Sequence, residues 1–294
     1  MSSSLFQKIS FDDKDFIIMR DDLNHPIFSG NKARKLAYIL NNPNKYSHIK
    51  TIISFGGNQS NFMLALSQLA KIKNWGFHYW VKPLSKFLKQ NKNGNLKLAL
   101  ENSMQLFETN KTLNLENIQK NYQLDKSVYL FDQGGRNHLA EEGIAECAQE
   151  IKKYCQNNAI QNYSVIVASG TGTTALYLEK YLPNKIYTVP CVGSSQYLKQ
   201  QFEYIDKNLK FPKVIEPKFE ATFGNLSLEN YRIFQRLLQQ TNIEFDLLYD
   251  PIAWRVLLEN YNKLPKPIIY IHCGGTSGNI TMINRYNRLL ENML

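Results

Sequence analysis

Two rhythms of apolar residues alternate along this chain. Short unbroken apolar runs bounded by turn residues alternate with longer stretches in which apolar positions return every three or four residues. The short runs predict strands at 16–19, 51–55, 77–81, near 106–107, and at 128–131, 163–168, 185–189 and 267–271. The longer stretches predict helices. One opens at Ser29-Gly30-Asn31 and carries Leu36, Ile39 and Leu40 at helical spacing; others cover 61–73, 96–103, 115–122, about 140–154, the stretch from 173 to 181, 194–205, 228–240 and 280–293. The segment 246–261 lies among these without a clear assignment. Such alternation implies an α/β architecture, a mostly parallel sheet flanked by helices on both faces. Ligands then belong at the carboxyl ends of the strands.

Composition narrows the class. The chain has 294 residues, of which 43% are hydrophobic and 12% aromatic, enough for one large or two moderate folded domains and a buried site. The N-terminal stretch MSSSLFQKIS has no apolar core of the signal-peptide type, and no later run approaches a membrane span, so a soluble, cytoplasmic protein is expected. Cys147, Cys155, Cys191 and Cys273 lack metal-binding or disulfide spacing, and the five histidines form no zinc motif; no metal is predicted. The net charge of +10 raises a nucleic-acid partner, but the lysines are dispersed rather than clustered, which favours a basic surface and an anionic small ligand.

The candidate chemistry sits at strand ends. Gly56-Gly57-Asn58-Gln59-Ser60-Asn61, Ser169-Gly170-Thr171-Gly172-Thr173-Thr174 and His272-Cys273-Gly274-Gly275-Thr276 each join a strand to a glycine-rich turn with hydroxyl or amide side chains. Glycine lets a ligand approach the backbone, and a helix start offers free N–H groups, so phosphate suits the second of these turns. Gly170, Gly172 and Ala175 also fit a dinucleotide pattern, yet no acid follows about twenty residues on. A triphosphate-binding GK[ST] is missing as well. Lys32 lies at a predicted helix start, where the helix dipole, Arg34 and Lys35 favour a neutral, nucleophilic amine. A lysine of this kind with a phosphate cup suggests pyridoxal phosphate held as a Schiff base.

Here the motifs become specific. GNKARKL, GGNQSN, FDQGGRNHLAEEG, SGTGTT and IHCGG occur in the order in which related segments occur in the 1-aminocyclopropane-1-carboxylate deaminase and D-cysteine desulfhydrase family, which the chain resembles over nearly its whole length. The stretch 245–254 is similar to that family's LDPVYTGKAM, or its variant with Glu after the Tyr, which sets Tyr249 on the family's active-site tyrosine and Asp250 where some members place Glu beside the pyridine nitrogen and others a hydroxyl residue. The rival reading makes Asp250-Pro251 a helix entry. The resemblance implies the two-domain tryptophan synthase β-like fold, fold type II of the pyridoxal phosphate enzymes. Residues 1–44 with 132–294 would form the large domain and 45–131 a small inserted one.

The same resemblance assigns roles. Lys32 would hold the cofactor and move protons; Lys35 and the 169–174 turn (Ser169, Gly170, Thr171, Gly172, Thr173, Thr174) would take its phosphate, Asn61 its phenolic oxygen and Asp250 its pyridine nitrogen. Ser60, with Gln59 and Asn61, would take the substrate, and Tyr249 would act at the reacting carbon. The implied activity is release of ammonia and a 2-oxo acid from a small amino acid, by β-elimination from D-cysteine or by opening the cyclopropane ring, in a homodimer. Phe62 stands where the family has a polar residue, and Pro251, Ile252 and Cys273 also depart from it. Those departures keep a non-catalytic cofactor-binding homologue as an alternative, beside a nucleotide-dependent α/β enzyme.

Overall fold

The computed structural model describes residues 5–25, 28 and 30–293. Ser29, expected to help open the first helix, lies outside the described residues, as do the first four residues of the N-terminal stretch. The chain begins with a hairpin, β1 (Leu5–Phe11) and β2 (Lys14–Arg20), in antiparallel register with Leu5 opposite Arg20. Asp12 and Asp13 turn it with φ of 50° and 56°, the paired left-handed conformation that matches the twist of a two-residue hairpin. The second strand extends the expected one; the first was not expected, because LFQKISF lies at a sheet edge and is mostly accessible, without a clean apolar run.

After α1 (Asn31–Leu40) the chain builds a four-stranded sheet: β3 (Thr51–Phe55), α2 (Asn61–Lys73), β4 (Gly76–Val81), α3 (Lys86–Gln90), α4 (Gly94–Glu101), β5 (Gln105–Glu108), α5 (Leu115–Gln119) and β6 (Val128–Leu130). Its order is β5-β4-β3-β6 and all its pairs are parallel. The chain then returns through α6 (Glu141–Asn157), β7 (Ser164–Ser169), α7 (Thr173–Tyr181), β8 (Ile186–Pro190), α8 (Ser195–Asp206), β9 (Lys213–Val214), α9 (Leu228–Thr241), α10 (Asp250–Asn260), β10 (Ile268–Ile271) and α11 (Asn279–Glu291). These strands join the hairpin in a six-stranded sheet, β1-β2-β10-β7-β8-β9, parallel except for β1. Among the described residues no helix is long and apolar enough to cross a membrane.

The central strands read as unbroken apolar runs because both faces of the sheet are covered. Val165, Val167, Ile269 and Ile271 pack under α6 and α7, while Ile166, Ile268 and Tyr270 pack on the other face with Leu237 of α9 and Trp254 of α10. The α1 helix faces both ways. Leu36 and Ile39 enter the core of the four-stranded sheet with Ile52, Met63 and Phe77, and its other side lies on α6, where a Cβ at Gly143 would sit 2.2 Å from the Arg34 carbonyl.

Arg34 fixes that contact. Its guanidinium, 1% exposed, lies 2.9 Å from Asp21 and 2.8 Å from Glu150, joining the end of the hairpin, α1 and α6. Removing one partner of a buried pair strands the other, at a cost of about 3–5 kcal/mol. Arg34→Ala is therefore expected to lose stability on that scale in urea unfolding, with Arg34→Lys recovering part of it, because a single ammonium cannot reproduce the bidentate fork. An unchanged unfolding midpoint for Arg34→Ala would remove this pair from the account of the fold.

Candidate active site

The two sheets turn the carboxyl ends of β3, β7 and β10 toward the start of α1, and the predicted residues meet there. Gly30 has φ of 58°, and a Cβ on it would lie 1.9 Å from the Cys273 carbonyl oxygen. Only glycine permits that approach. The Asn31 N–H donates to the same carbonyl at 3.3 Å, stitching α1 to the turn after β10.

Lys32 follows in the first turn of α1, its ammonium donating to the Asn31 side-chain oxygen. Burial lowers its pKa, against the pull of Cys273, Asp246, Asp21 and Asp250. Lys35, one turn on, donates to the Gly134 carbonyl at 2.8 Å; burial, the Lys32 charge and Arg136 bring its pKa down to about 7. The expected help from Arg34 is not what acts on Lys32. The Arg34 guanidinium is turned back to Asp21 and Glu150, and desolvation does the work instead.

Ser60 is the N-cap of α2: its oxygen accepts from the Phe62 and Met63 N–H groups at 3.2 and 3.3 Å, which leaves its own proton to donate. Asn61 donates to Asp246 Oδ2 at 3.1 Å. Gln59 reaches the same wall, but its amide is engaged with α4, donating to the Asn93 carbonyl at 3.2 Å and accepting from the Asn95 N–H at 2.9 Å. Phe62 is buried edge-to-face on Phe131, its ring against Gly135.

At the end of β7, Gly172 takes φ of 73° and starts α7. Among the described residues the N–H groups of 170–174 find no protein acceptor, which is the condition of a helix start open to an anion. Thr171 and Thr173 share a hydroxyl contact of 3.2 Å, and Asn31 reaches Thr174 at 3.4 Å. The Ser169 hydroxyl is held by Thr188 at 2.7 Å.

The unassigned segment 246–261 resolves into a short turn and α10. Asp246 accepts from the Leu248 and Tyr249 N–H groups at 2.7 and 3.0 Å, while Asp250 accepts from the Asp246 N–H at 2.8 Å and from the Tyr270 hydroxyl. Pro251 fits because it falls in the first turn of α10. The helix-entry reading and the site reading of Asp250 thus hold together: it opens the helix and lines the cavity. Burial, then the neighbouring Asp246, pushes the Asp250 carboxyl up to about 8. Burial also raises Asp246, and pushes the Cys273 thiol up to about 12.

One cavity of about 410 Å³ collects these groups. Lys32, Lys35, Gln59, Ser60, Asn61, the 169–174 turn, Tyr249 and Asp250 all line it, with Phe62 and Cys273. Asp246 and Phe223, the latter with its ring 5.0 Å from Tyr249, also line it and were not singled out from sequence. The spacing of Asp246 and Asp250 across a helix entry was the available signal; Phe223 lies in an irregular stretch and gave none.

The cavity fits the cofactor suggested by the motifs on three counts. It has an amine beside a ligand-sized space, a row of free N–H groups for a phosphate with Lys35 lining the same cavity, and a buried carboxyl for a basic ring nitrogen. No family model matches the chain. It is similar to the Thermotoga maritima protein named "Putative 1-aminocyclopropane-1-carboxylate deaminase", 27% identical over 286 residues that cover 89% of this chain and 88% of the relative. It is also similar to D-cysteine desulfhydrase of Serratia proteamaculans, 26% identical over 298 residues, covering 89% and 87%. Among solved structures, that of the ACC deaminase homologue superposes with a TM-score of 0.80 at 20% identity, over 100% of this chain and 94% of the other. The fold is that of the fold type II pyridoxal phosphate enzymes, and the family resemblance seen in the motifs extends over the length of the chain.

Proposed function

We propose that this chain, as a relative of the 1-aminocyclopropane-1-carboxylate deaminases and D-cysteine desulfhydrases, is a pyridoxal phosphate-dependent lyase. It would act on a small amino acid to release ammonia and a 2-oxo acid. The observation that carries the reading is the convergence of Lys32, the open N–H groups of 170–174 and the buried Asp250 carboxyl on one cavity. When bound, the cofactor supplies an aldehyde that captures the substrate amine and a ring that withdraws electrons from the bonds at its α-carbon.

The chain's own residues do the rest. Lys32, its neutral form favoured by burial, attaches the cofactor and then carries a proton to or from the substrate carbon. Lys35 and the start of α7 would receive the phosphate, and Asp250 would serve the ring nitrogen. Ser60, whose oxygen already accepts from two N–H groups, would give its O–H to the substrate carboxylate at the amino end of α2. Tyr249, whose burial favours the protonated phenol, would act as an acid at the reacting carbon. Phe62 and Phe223 present apolar walls, which suit a substrate with a short, uncharged side chain. D-cysteine and the cyclopropane amino acid are the first two to try.

We also read 45–131 as a small domain inserted in a large one (1–44 and 132–294), and the protein as a cytoplasmic homodimer. Sedimentation of the purified protein reads the last point directly.

The deciding experiment is the visible spectrum of the purified protein before and after borohydride, followed by peptide mapping. A yellow band lost on reduction, with the pyridoxyl group on Lys32, is expected. Ammonia and 2-oxo acid release from a panel of D- and L-amino acids then identifies the substrate. A colourless protein that refuses added pyridoxal phosphate overturns the reading.

A further inference from the structure

Outside the residues assigned so far, the side chain of Asn95 is tied to the cavity wall by bonds whose polarity leaves no choice. Asn95 lies in the first turn of α4, beside Gly94 with its φ of 55°, and is fully buried. Gln59 clamps this turn from the other side. The Asn95 side-chain NH2 donates to the Gln59 main-chain carbonyl at 3.0 Å and to Asn61 Oδ1 at 2.7 Å, while its oxygen accepts from the Ser277 hydroxyl at 2.9 Å.

A main-chain carbonyl can only accept, so the Asn95 atom facing it is the nitrogen. That NH2 has no lone pair, so the Asn61 atom it meets is the oxygen. The Asn61 NH2 is thereby turned toward Asp246 and the cavity. Asp246 by itself does not fix this direction. Burial favours its protonated form, and a carboxylic acid donates as readily as it accepts.

We infer that Asn95 is a positioning residue that sets the direction of the Asn61 amide, keeping an N–H donor rather than a carbonyl oxygen toward the bound cofactor. The inference rests on the assignment of Asn61 to the cofactor's phenolic oxygen. With the amide reversed, a lone pair would face that oxygen and repel it. The Ser277 contact also ties Asn95 to the turn after β10, so the same side chain joins loops of both sheets to the site.

Asn95→Asp tests this with almost no change of shape. A carboxyl at 95 has at most one proton to give where the amide gives two. With that proton on the Gln59 carbonyl, which can only accept, the same oxygen turns a lone pair to Asn61, draws its NH2 and sends the Asn61 oxygen to the cavity. Titration of the cofactor-free protein with pyridoxal phosphate is expected to show a dissociation constant raised about tenfold or more, and the visible band of the loaded protein is expected to move. Asn95→Ala, which leaves Asn61 held by Asp246, should lose less. In an Asn61→Ala background, Asn95→Asp should add little, since its effect runs through that amide.

A folded Asn95→Asp protein with the wild-type band and affinity would overturn the inference. So would an equal loss with and without Asn61, which marks a merely structural role. Should Asn95→Asp fail to fold, the Asn95→Ala and Asn61→Ala pair is read in the same way. If the wild-type protein takes no pyridoxal phosphate, the cofactor assignment falls. The urea midpoints of the cofactor-free 95/61 cycle then decide the orientation claim: coupling sustains it and additivity refutes it.

Discussion

Lys32→Ala protein is expected to carry no pyridoxyl label after borohydride and to turn over substrate about a thousandfold more slowly or worse. The magnitude follows from removing both the attaching amine and a positioned proton carrier, the latter alone worth about 10²–10⁴. Lys35 cannot stand in. Its ammonium is spent on the Gly134 carbonyl and it lies a helical turn away, beside the phosphate turn rather than at the Asn31 side chain. Loss of the label should leave the phosphate contacts in place, so the variant should still bind the cofactor weakly and release it on dialysis. Peptide mapping that finds the label on Lys35, or a Lys32→Ala protein with wild-type turnover, would show that the site has been read around the wrong lysine.

The second large effect concerns Asp250 and has a definite sign. Its carboxyl is pushed from the ordinary aspartate range up to about 8 in the folded protein, first by burial and then by Asp246. The folded chain therefore keeps a proton that the unfolded chain has already lost. Stability on this account is full below about pH 4 and is lost as pH rises through about 8, with a ceiling of about 5 kcal/mol. Lys35, held down to about 7, works the other way: its contribution is present above the unfolded lysine range and is lost as pH falls through about 7.

The comparison of wild type with Asp250→Asn isolates the carboxyl. In urea unfolding of the cofactor-free proteins between about pH 5 and 7, the wild type is expected to lose stability relative to the variant. Asp246 is raised by its own burial in both proteins, so its contribution largely cancels from the comparison. Adding the cofactor should flatten the wild-type slope, because a protonated ring nitrogen favours the carboxylate. Parallel pH profiles for the two proteins would mean that Asp250 is not the group that titrates. Turnover by Asp250→Asn should fall about a hundredfold, for loss of a charge facing the ring.

Much of this was legible in the chain. TIISF and YSVIVA read as buried strands because parallel strands covered on both faces need no polar alternation, and the turns behind them read as ligand sites because glycine and hydroxyl residues crowd a helix start. The family motifs named Lys32, Ser60, Asn61, the 169–174 turn and Asp250, and all of them line one cavity. The hairpin strand β1 was not legible, since an edge strand carries little apolar signal. Nor was the direction of Arg34. A basic residue two positions from Lys32 on a helix reads as a neighbour, yet helical geometry sends its side chain to another face, toward Asp21 and Glu150.

The sequence by itself determined the order of elements, the sites of the turns and the residue types that meet a ligand, because period, glycine and charge act locally. Tertiary structure alone decided which groups face each other across the cavity. Asp246 meeting Asn61, Tyr270 behind Asp250, Asn95 orienting Asn61 and the burial that lowers Lys32 all join residues far apart in the chain. Hydrogen-bond polarity and desolvation depend on distance in space, and no local pattern encodes that.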